Sequence, residues 1–92
     1  MTEHYIEQHC RAIAITRGAI LLKLRPPPVG VPDRLLVYKG ATIFVELKTP
    51  QGRLRKGQGE MHRQLRARGA RVEIIRSSLE FRALLDELET GV

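Results

Sequence analysis

Two carboxylates and one lysine stand where a short chain could use them together. In the stretch Ile43-Phe44-Val45-Glu46-Leu47-Lys48, strand alternation sends Ile43, Val45 and Leu47 one way and Phe44, Glu46 and Lys48 the other. A carboxylate and an ammonium group then share one face of a strongly apolar strand. Burying such charge costs free energy unless it is paired or ligates a metal. On the wet face of an edge strand the same pair would be worth at most about 1 kcal/mol. Asp33 lies thirteen residues before Glu46, at the start of the preceding apolar run, and the chain's other aspartate is Asp86. Pro32 fixes its own φ and holds Val31 extended, which limits the wobble of the carboxylate that follows. Capping of a turn is the ordinary alternative for such an aspartate.

A hairpin between these two runs brings Asp33 to the end of the strand that carries Glu46 and Lys48. Hard oxygen ligands of this kind suit Mg²⁺, which binds through one or two carboxylates plus substrate phosphate and water. The metal would polarise a scissile phosphate and lower the pKa of an attacking water. Lys48 would position that water or stabilise charge on the pentavalent phosphate. This is the minimum set for hydrolysing a phosphodiester.

The elements that must hold these groups can be read along the chain. Residues 3–17 predict a helix, with Ile6, Cys10, Ile13 and Arg17 at three- and four-residue spacing, Thr2 as its cap and Gly18 as its end. Ala19 to Arg25 reads as a strand, and Pro26 to Pro28 stop regular pairing and force a stiff, extended connection. Strands at Asp33–Tyr38 and Thr42–Thr49 form a hairpin around Lys39-Gly40-Ala41. A helix at Lys56–Arg68 follows, weakened in its first turn by Gly57 and Gly59, then a strand at Arg71–Arg76. Ser77 and Glu80 match a capping box for a last helix that buries Phe81, Leu84, Leu85 and Leu88. The order α-β-β-β-α-β-α predicts an α/β chain with a mixed sheet, the last two strands parallel across a helix.

Ninety-two residues suffice for one domain with a modest core, and the 42% apolar fraction fits a folded chain. The single cysteine, Cys10, excludes an internal disulfide and a four-cysteine zinc site, and points to a reducing, cytoplasmic compartment. No apolar stretch is long enough to span a membrane, and the first residues lack the pattern of a signal peptide. Net charge is +6, and all of it sits between Gln51 and Arg71: Arg53, Arg55, Lys56, Arg63, Arg66, Arg68 and Arg71 face only Glu60, while the remaining nine bases and nine acids cancel. Such a concentration suits a polyanion, through counterion release. A solvated helix face rich in arginine is the plainer explanation.

The residues carry a resemblance. Pro32-Asp33, then Glu46-Leu47-Lys48, resembles the PD-(D/E)xK signature of restriction-endonuclease-like nucleases. The fuller string Gly30-Val31-Pro32-Asp33-Arg34-Leu35, with Val45-Glu46-Leu47-Lys48-Thr49-Pro50 and Gln58 downstream, is similar to the VRR-NUC domain of that superfamily. The resemblance covers nearly the whole chain, the order of elements included. It implies a restriction-endonuclease-like core in a single nuclease domain over residues 1–92. It implies a Mg²⁺- or Mn²⁺-dependent DNA endonuclease, selective for branched DNA such as four-way (Holliday) junctions, of the kind used in DNA repair. A homodimer and a DNA partner, duplex or branched, are implied as well, with no membrane and no small-molecule cofactor.

Residue by residue, the resemblance makes Asp33 and Glu46 metal ligands and Lys48 the catalytic lysine. It places Glu7, on the first helix, near the metal as a further ligand, although a first-turn acid is also favoured by the helix dipole. Gln58 matches a glutamine at the start of the helix after the core strand, and it precedes Met61 and Leu65 by one and two turns, facing inward. Lys23 matches a basic position that could touch phosphate. With Arg53, Arg55, Lys56, Arg63 and Arg66 it makes up the expected nucleic-acid contacts. The three prolines are a departure that could reshape the approach to Asp33.

Other constellations are weaker. His4 and His9 are five residues apart and fall on different helix faces, so zinc binding with Cys10 is not expected. His62, four residues after Gln58, could approach the site, but reads more readily as partly packed and structural. The main rival function is a non-catalytic nucleic-acid-binding module on a nuclease-like fold, which accounts for the basic stretch and leaves Asp33, Glu46 and Lys48 unexplained.

Overall fold

The chain's structure, a computed structural model, describes residues 1–25 and 28–91. Helix α1 (Glu3–Arg17) begins where the Thr2 hydroxyl accepts the Tyr5 N–H at 3.1 Å, and it ends at Gly18, whose φ of 77° is left-handed. There follow β1 (Ile20–Lys23), β2 (Arg34–Tyr38), β3 (Ala41–Leu47), α2 (Gln58–Ala67), β4 (Val72–Ile75) and α3 (Ser78–Thr90). This is the expected order.

The strands are shorter than their apolar runs, because pairing stops where a partner stops. β1 pairs with β2 only from Ile20–Val37 to Lys23–Arg34, so β2 starts one residue after Asp33. The ladder still extends a bond further at both ends of the site: the Leu24 N–H donates to the Asp33 carbonyl at 2.8 Å, and the Lys48 N–H to the Ile75 carbonyl at 3.0 Å. Helix α2 starts at Gln58 and not at Lys56, because Gly57 is left-handed at φ 89° and cannot continue the helix backward. The proline expectation falls largely on Pro26 and Pro27, outside the described residues. Pro28 accepts the Val31 N–H in a turn at 3.1 Å.

The sheet order is β1-β2-β3-β4, with the first three strands antiparallel and β4 parallel to β3 across α2. Lys39 and Gly40 both take positive φ, 50° and 81°, which matches the two-residue turn whose twist suits a hairpin. On one face, α1 and α3 cover the sheet. Ile6, Cys10 and Ile13 meet Leu36, Ile43, Val45, Phe81 and Leu85 in a single apolar core. Arg17 ties the two helices together by pairing with Asp86 at 2.8 Å and Glu89 at 2.7 Å, and the Tyr38 hydroxyl donates to Glu89 at 3.0 Å.

The opposite face is covered by α2 over β3 and β4 only. Over β1 and β2 it leaves Ile20, Leu22 and Val37 exposed, at 55%, 47% and 36%. The capping box forms by half. Ser77 Oγ accepts the Glu80 N–H at 3.1 Å, but Glu80 accepts from the Arg76 N–H at 2.7 Å, not from Ser77 as expected. The carboxylate reaches one residue further back, to an amide just past the end of β4.

Candidate active site

The site is built where β2 and β3 leave the sheet. Their register, Arg34 with Val45 and Leu35 with Phe44, sets Asp33 across from Glu46 when continued by one residue. The Glu46 side chain then lies on the face under α2, while Asp33, in the bend just before β2, turns its carboxylate to Arg34. Glu46 and Lys48 are 4% and 3% exposed, with Nζ 3.8 Å from Oε2, so this is a buried pair and not a solvated one. Burial pushes the Glu46 pKa above the ordinary carboxylate value. The charge of Asp33 adds to the rise, against the lowering pull of Lys48, Arg55 and the Gln58 hydrogen bond.

Gln58, buried at the start of α2, joins the acid to the basic loop. Its Nε2 donates to Glu46 Oε2 at 3.2 Å, and its Oε1 accepts the Arg55 N–H at 2.5 Å. The loop before Asp33 is pressed onto the same helix end. A Cβ on Gly30, which sits at φ 82°, would lie 2.6 Å from the Gly57 carbonyl oxygen and 2.9 Å from Met61 Cβ. Only glycine allows this approach.

Glu7 reaches the site from the other face, by way of an arginine. Arg34 alternates with Leu36 and Tyr38 toward the core and is 6% exposed, and its guanidinium pairs with Glu7 and with Asp33, the latter at 2.8 Å. Burial works to raise the Glu7 pKa, but the Arg34 hydrogen bond and charge, helped by Lys23 and Arg11, hold it below its ordinary value. Glu7, Lys23, Asp33 and Arg34 line a cleft of about 230 Å³ with Glu3, His4 and Leu47.

Glu46, Lys48 and Gln58 are thus brought together, with Asp33 near enough for its charge to act on Glu46, while the carboxylates of Asp33 and Glu7 are both turned to Arg34. Among the described residues, no group of three or more His, Cys, Asp or Glu side chains stands close enough to hold a metal ion. Cys10 is a core thiol, pushed up to about 11 by burial and by Glu7, and His9 stacks against Tyr5 with ring centroids 4.3 Å apart.

The basic stretch divides. Arg53, Arg55 and Lys56 lie exposed on the loop between β3 and α2, beside Gln58, and Lys23 is exposed across the cleft. Arg63 is paired with Glu60, Arg66 donates to the Val72 carbonyl at 2.7 Å, and Arg71 is held by Glu73 at 2.9 Å and Glu87 at 2.7 Å. Arg76 pins the loop by donating to the Thr49 and Gly52 carbonyls at 2.9 and 2.6 Å.

The sequence reading missed Arg34 and gave His62 too small a place. Arg34 was detectable as a charge at a core-facing strand position, which has to be paired. His62 shares a helix face with Gln58. It is 1% exposed and 3.9 Å from Glu46 Oε1, which is more buried and closer to the acid than a partly packed structural histidine should be. Burial, with Arg66 and Lys48, lowers its pKa.

The mixed four-stranded sheet, with two helices on one face and a crossover helix on the other, is an α+β fold. No family model matches the sequence, and no curated protein matches it. Among solved structures, the chain is similar to a VRR_NUC domain, with a TM-score of 0.77 over 94% of this chain and 97% of that one, at 23% identity. The chain therefore has the fold of a VRR_NUC domain. Among the described residues, no helix is long and apolar enough to cross a membrane.

Proposed function

We propose that this chain is a metal-dependent nuclease that hydrolyses DNA phosphodiesters as one domain. The observation that carries the reading is the register that, continued by one residue, sets Asp33 across from Glu46, with Lys48 buried beside Glu46. The residues fit a small hard cation such as Mg²⁺ or Mn²⁺. Two carboxylates supply oxygen donors, and Glu46 Oε1 is buried without a hydrogen-bond partner. When bound, the ion polarises the phosphodiester and acidifies a water beside it.

The chain's own groups do the rest. Asp33 and Glu46 hold the cation, and Lys48 Nζ offsets the charge that develops on the phosphate. Gln58 orients Glu46. Glu7 contributes negative charge to the cleft that Asp33 lines, balanced by Arg34. Lys23, Arg53, Arg55, Lys56, Arg63 and Arg66 are assigned to the DNA backbone, with the unpaired loop bases foremost.

Branched DNA, four-way junctions in particular, is the proposed substrate, with DNA repair as its setting and the cytoplasm as its place. A homodimer would present two sites to such a branch, and the uncovered Ile20, Leu22 and Val37 give a second copy an apolar face to meet. A sedimentation mass of one chain at micromolar concentration would remove the dimer.

One observation favours the rival reading, a binding module without catalysis: among the described residues no group of three or more His, Cys, Asp or Glu stands close enough to hold a metal ion, and Glu7 is committed to Arg34. Cleavage assays on duplex, single-stranded, flap and four-way DNA decide between the two. Mg²⁺ or Mn²⁺ is expected to support cutting and EDTA to stop it. Lys48→Ala should fold and bind DNA yet lose at least a hundredfold in cleavage rate, a typical loss for one charge-stabilising group. Tight binding with no cutting on any substrate would establish the binding module.

A further inference from the structure

His62 is one of the most completely buried side chains, and neither of its ring nitrogens has a hydrogen-bond partner. Buried polar groups are nearly always bonded, so an exception calls for a reason. Nε2 lies 3.9 Å from Glu46 Oε1, an oxygen equally buried and equally without a partner. The other oxygen, Oε2, is already engaged by Gln58 at 3.2 Å, with Lys48 Nζ 3.8 Å away. Gln58 and His62 are four residues apart in α2, on the same side of the helix. Two side chains of one helix thus address the two oxygens of one carboxylate.

We propose that His62 is a positioning residue for Glu46: its Nε2–H is directed at Oε1, so that Gln58 and His62 together fix the carboxylate in the orientation that serves the cation. The inference rests on the nuclease reading and adds a residue to it. Each carboxylate oxygen has two lone pairs, so one can take the imidazole N–H while the other remains for the ion. Groups behind a metal ligand commonly set its orientation in this way. The 3.9 Å separation exceeds a hydrogen bond, and small torsions of Glu46 and His62 close it, as such contacts tighten when a site is loaded. A histidine that only filled space would be better replaced by an apolar side chain, which brings no unpaired nitrogens into the interior.

Two variants of the whole chain separate positioning from packing. His62→Gln keeps a donor near the place of Nε2, and His62→Leu keeps apolar bulk and removes the donor. Mn²⁺ binding is measured by calorimetry without DNA, alongside melting curves and steady-state cleavage. His62→Leu is expected to melt cooperatively, to bind Mn²⁺ at least tenfold more weakly, and to lose kcat with little change in KM. His62→Gln should recover most of both losses. Equal impairment of the two variants, or unchanged Mn²⁺ binding in His62→Leu, overturns the proposal.

A measurement on the wild-type chain holds even if His62→Leu does not fold. Long-range ¹H–¹⁵N spectra should place the imidazole proton on Nε2, and Glu46→Gln should shift that resonance. A proton on Nδ1, or no response to Glu46→Gln, refutes the contact without reference to metal or cleavage. Wild-type protein that binds no Mn²⁺ and cuts nothing would sink the nuclease reading and the cation role of His62 together, and the spectra would still decide whether the contact exists.

Discussion

The two faces of strand β3 do opposite things with the same seven residues. Toward α1 and α3 it sends Ile43, Val45 and Leu47 into an apolar core. Toward α2 it sends Glu46, followed by Lys48, into a place just as dry, where Glu46 Oε1 and both nitrogens of His62 go unpaired. One face lowers the free energy of folding. The other holds charge where water would solvate it better, and a folded chain keeps such an arrangement when it serves a ligand. On the proposed reading, the fold is made stable on one side of the sheet and useful on the other.

The largest effect should come from the stabilising face. Phe81 is fully buried in the core, and Phe81→Ala should cost about 3–5 kcal/mol, enough to unfold much of a chain this small. Urea titration followed by circular dichroism measures it. A loss below about 1 kcal/mol would mean that the core contributes less than its burial implies and that stability comes from elsewhere, as from a second copy of the chain.

This difference between faces also explains what the sequence could tell. The core face was legible because apolar spacing alone specifies it: Ile6, Cys10 and Ile13 on α1 and Phe81, Leu84 and Leu85 on α3 are buried as their periods predict. The hairpin was legible because Lys39-Gly40 supplies the two positive φ angles it needs. The approach of Asp33 to Glu46 could be anticipated from that hairpin, but the burial of Lys48 could not, since it depends on α2 lying over the strand. The Glu7–Arg34–Asp33 chain was hidden for a similar reason. It joins residues from α1 and β2 across the sheet, and no local period records that.

Next in size is a change where the two faces are held together. Gly30→Ala would drive a Cβ into the Gly57 carbonyl and Met61 at a backbone φ that L-residues resist, a penalty on the order of 2 kcal/mol. The relief available is to push α2 away from β3, which breaks the Gln58–Glu46 hydrogen bond. The expected outcome is a moderately lowered melting temperature with a disproportionate loss of cleavage. Loss of stability and activity in the proportion seen for core variants would show that α2 is packing alone.

The dry acid gives a smaller effect with the opposite sign. The Glu46 pKa is raised, so the folded state holds that proton more tightly than the unfolded chain does. The associated stability is fully present below the ordinary value of 4.5 and is lost as pH rises through the raised value. Glu46→Gln removes this loss. Without metal, the variant should melt higher than wild type at neutral pH, and the difference should vanish under acid conditions. Added Mn²⁺ should reverse the order by stabilising only wild type. Equal melting temperatures across the pH range would deny that Glu46 is held at a cost.

The smallest stability effect, and the most selective functional one, separates two arginines that look alike in the sequence. Arg53 and Arg71 both belong to the segment that carries the net charge of +6. Arg53 is exposed on the loop beside Gln58, whereas Arg71 is bound by Glu73 and Glu87, with its pKa raised by those hydrogen bonds. Arg53→Ala should alter folding stability by less than about 0.5 kcal/mol. It should weaken DNA binding evenly across sequences and reduce the slope of log affinity against log salt by about one, the signature of a single lost phosphate contact. Arg71→Ala should leave that slope unchanged, since its charge is already neutralised within the chain. Binding curves at several salt concentrations measure both. Equal slopes for the two variants would mean that the DNA senses only total charge, and the loop beside the buried acid would lose its claim to guide the backbone toward it.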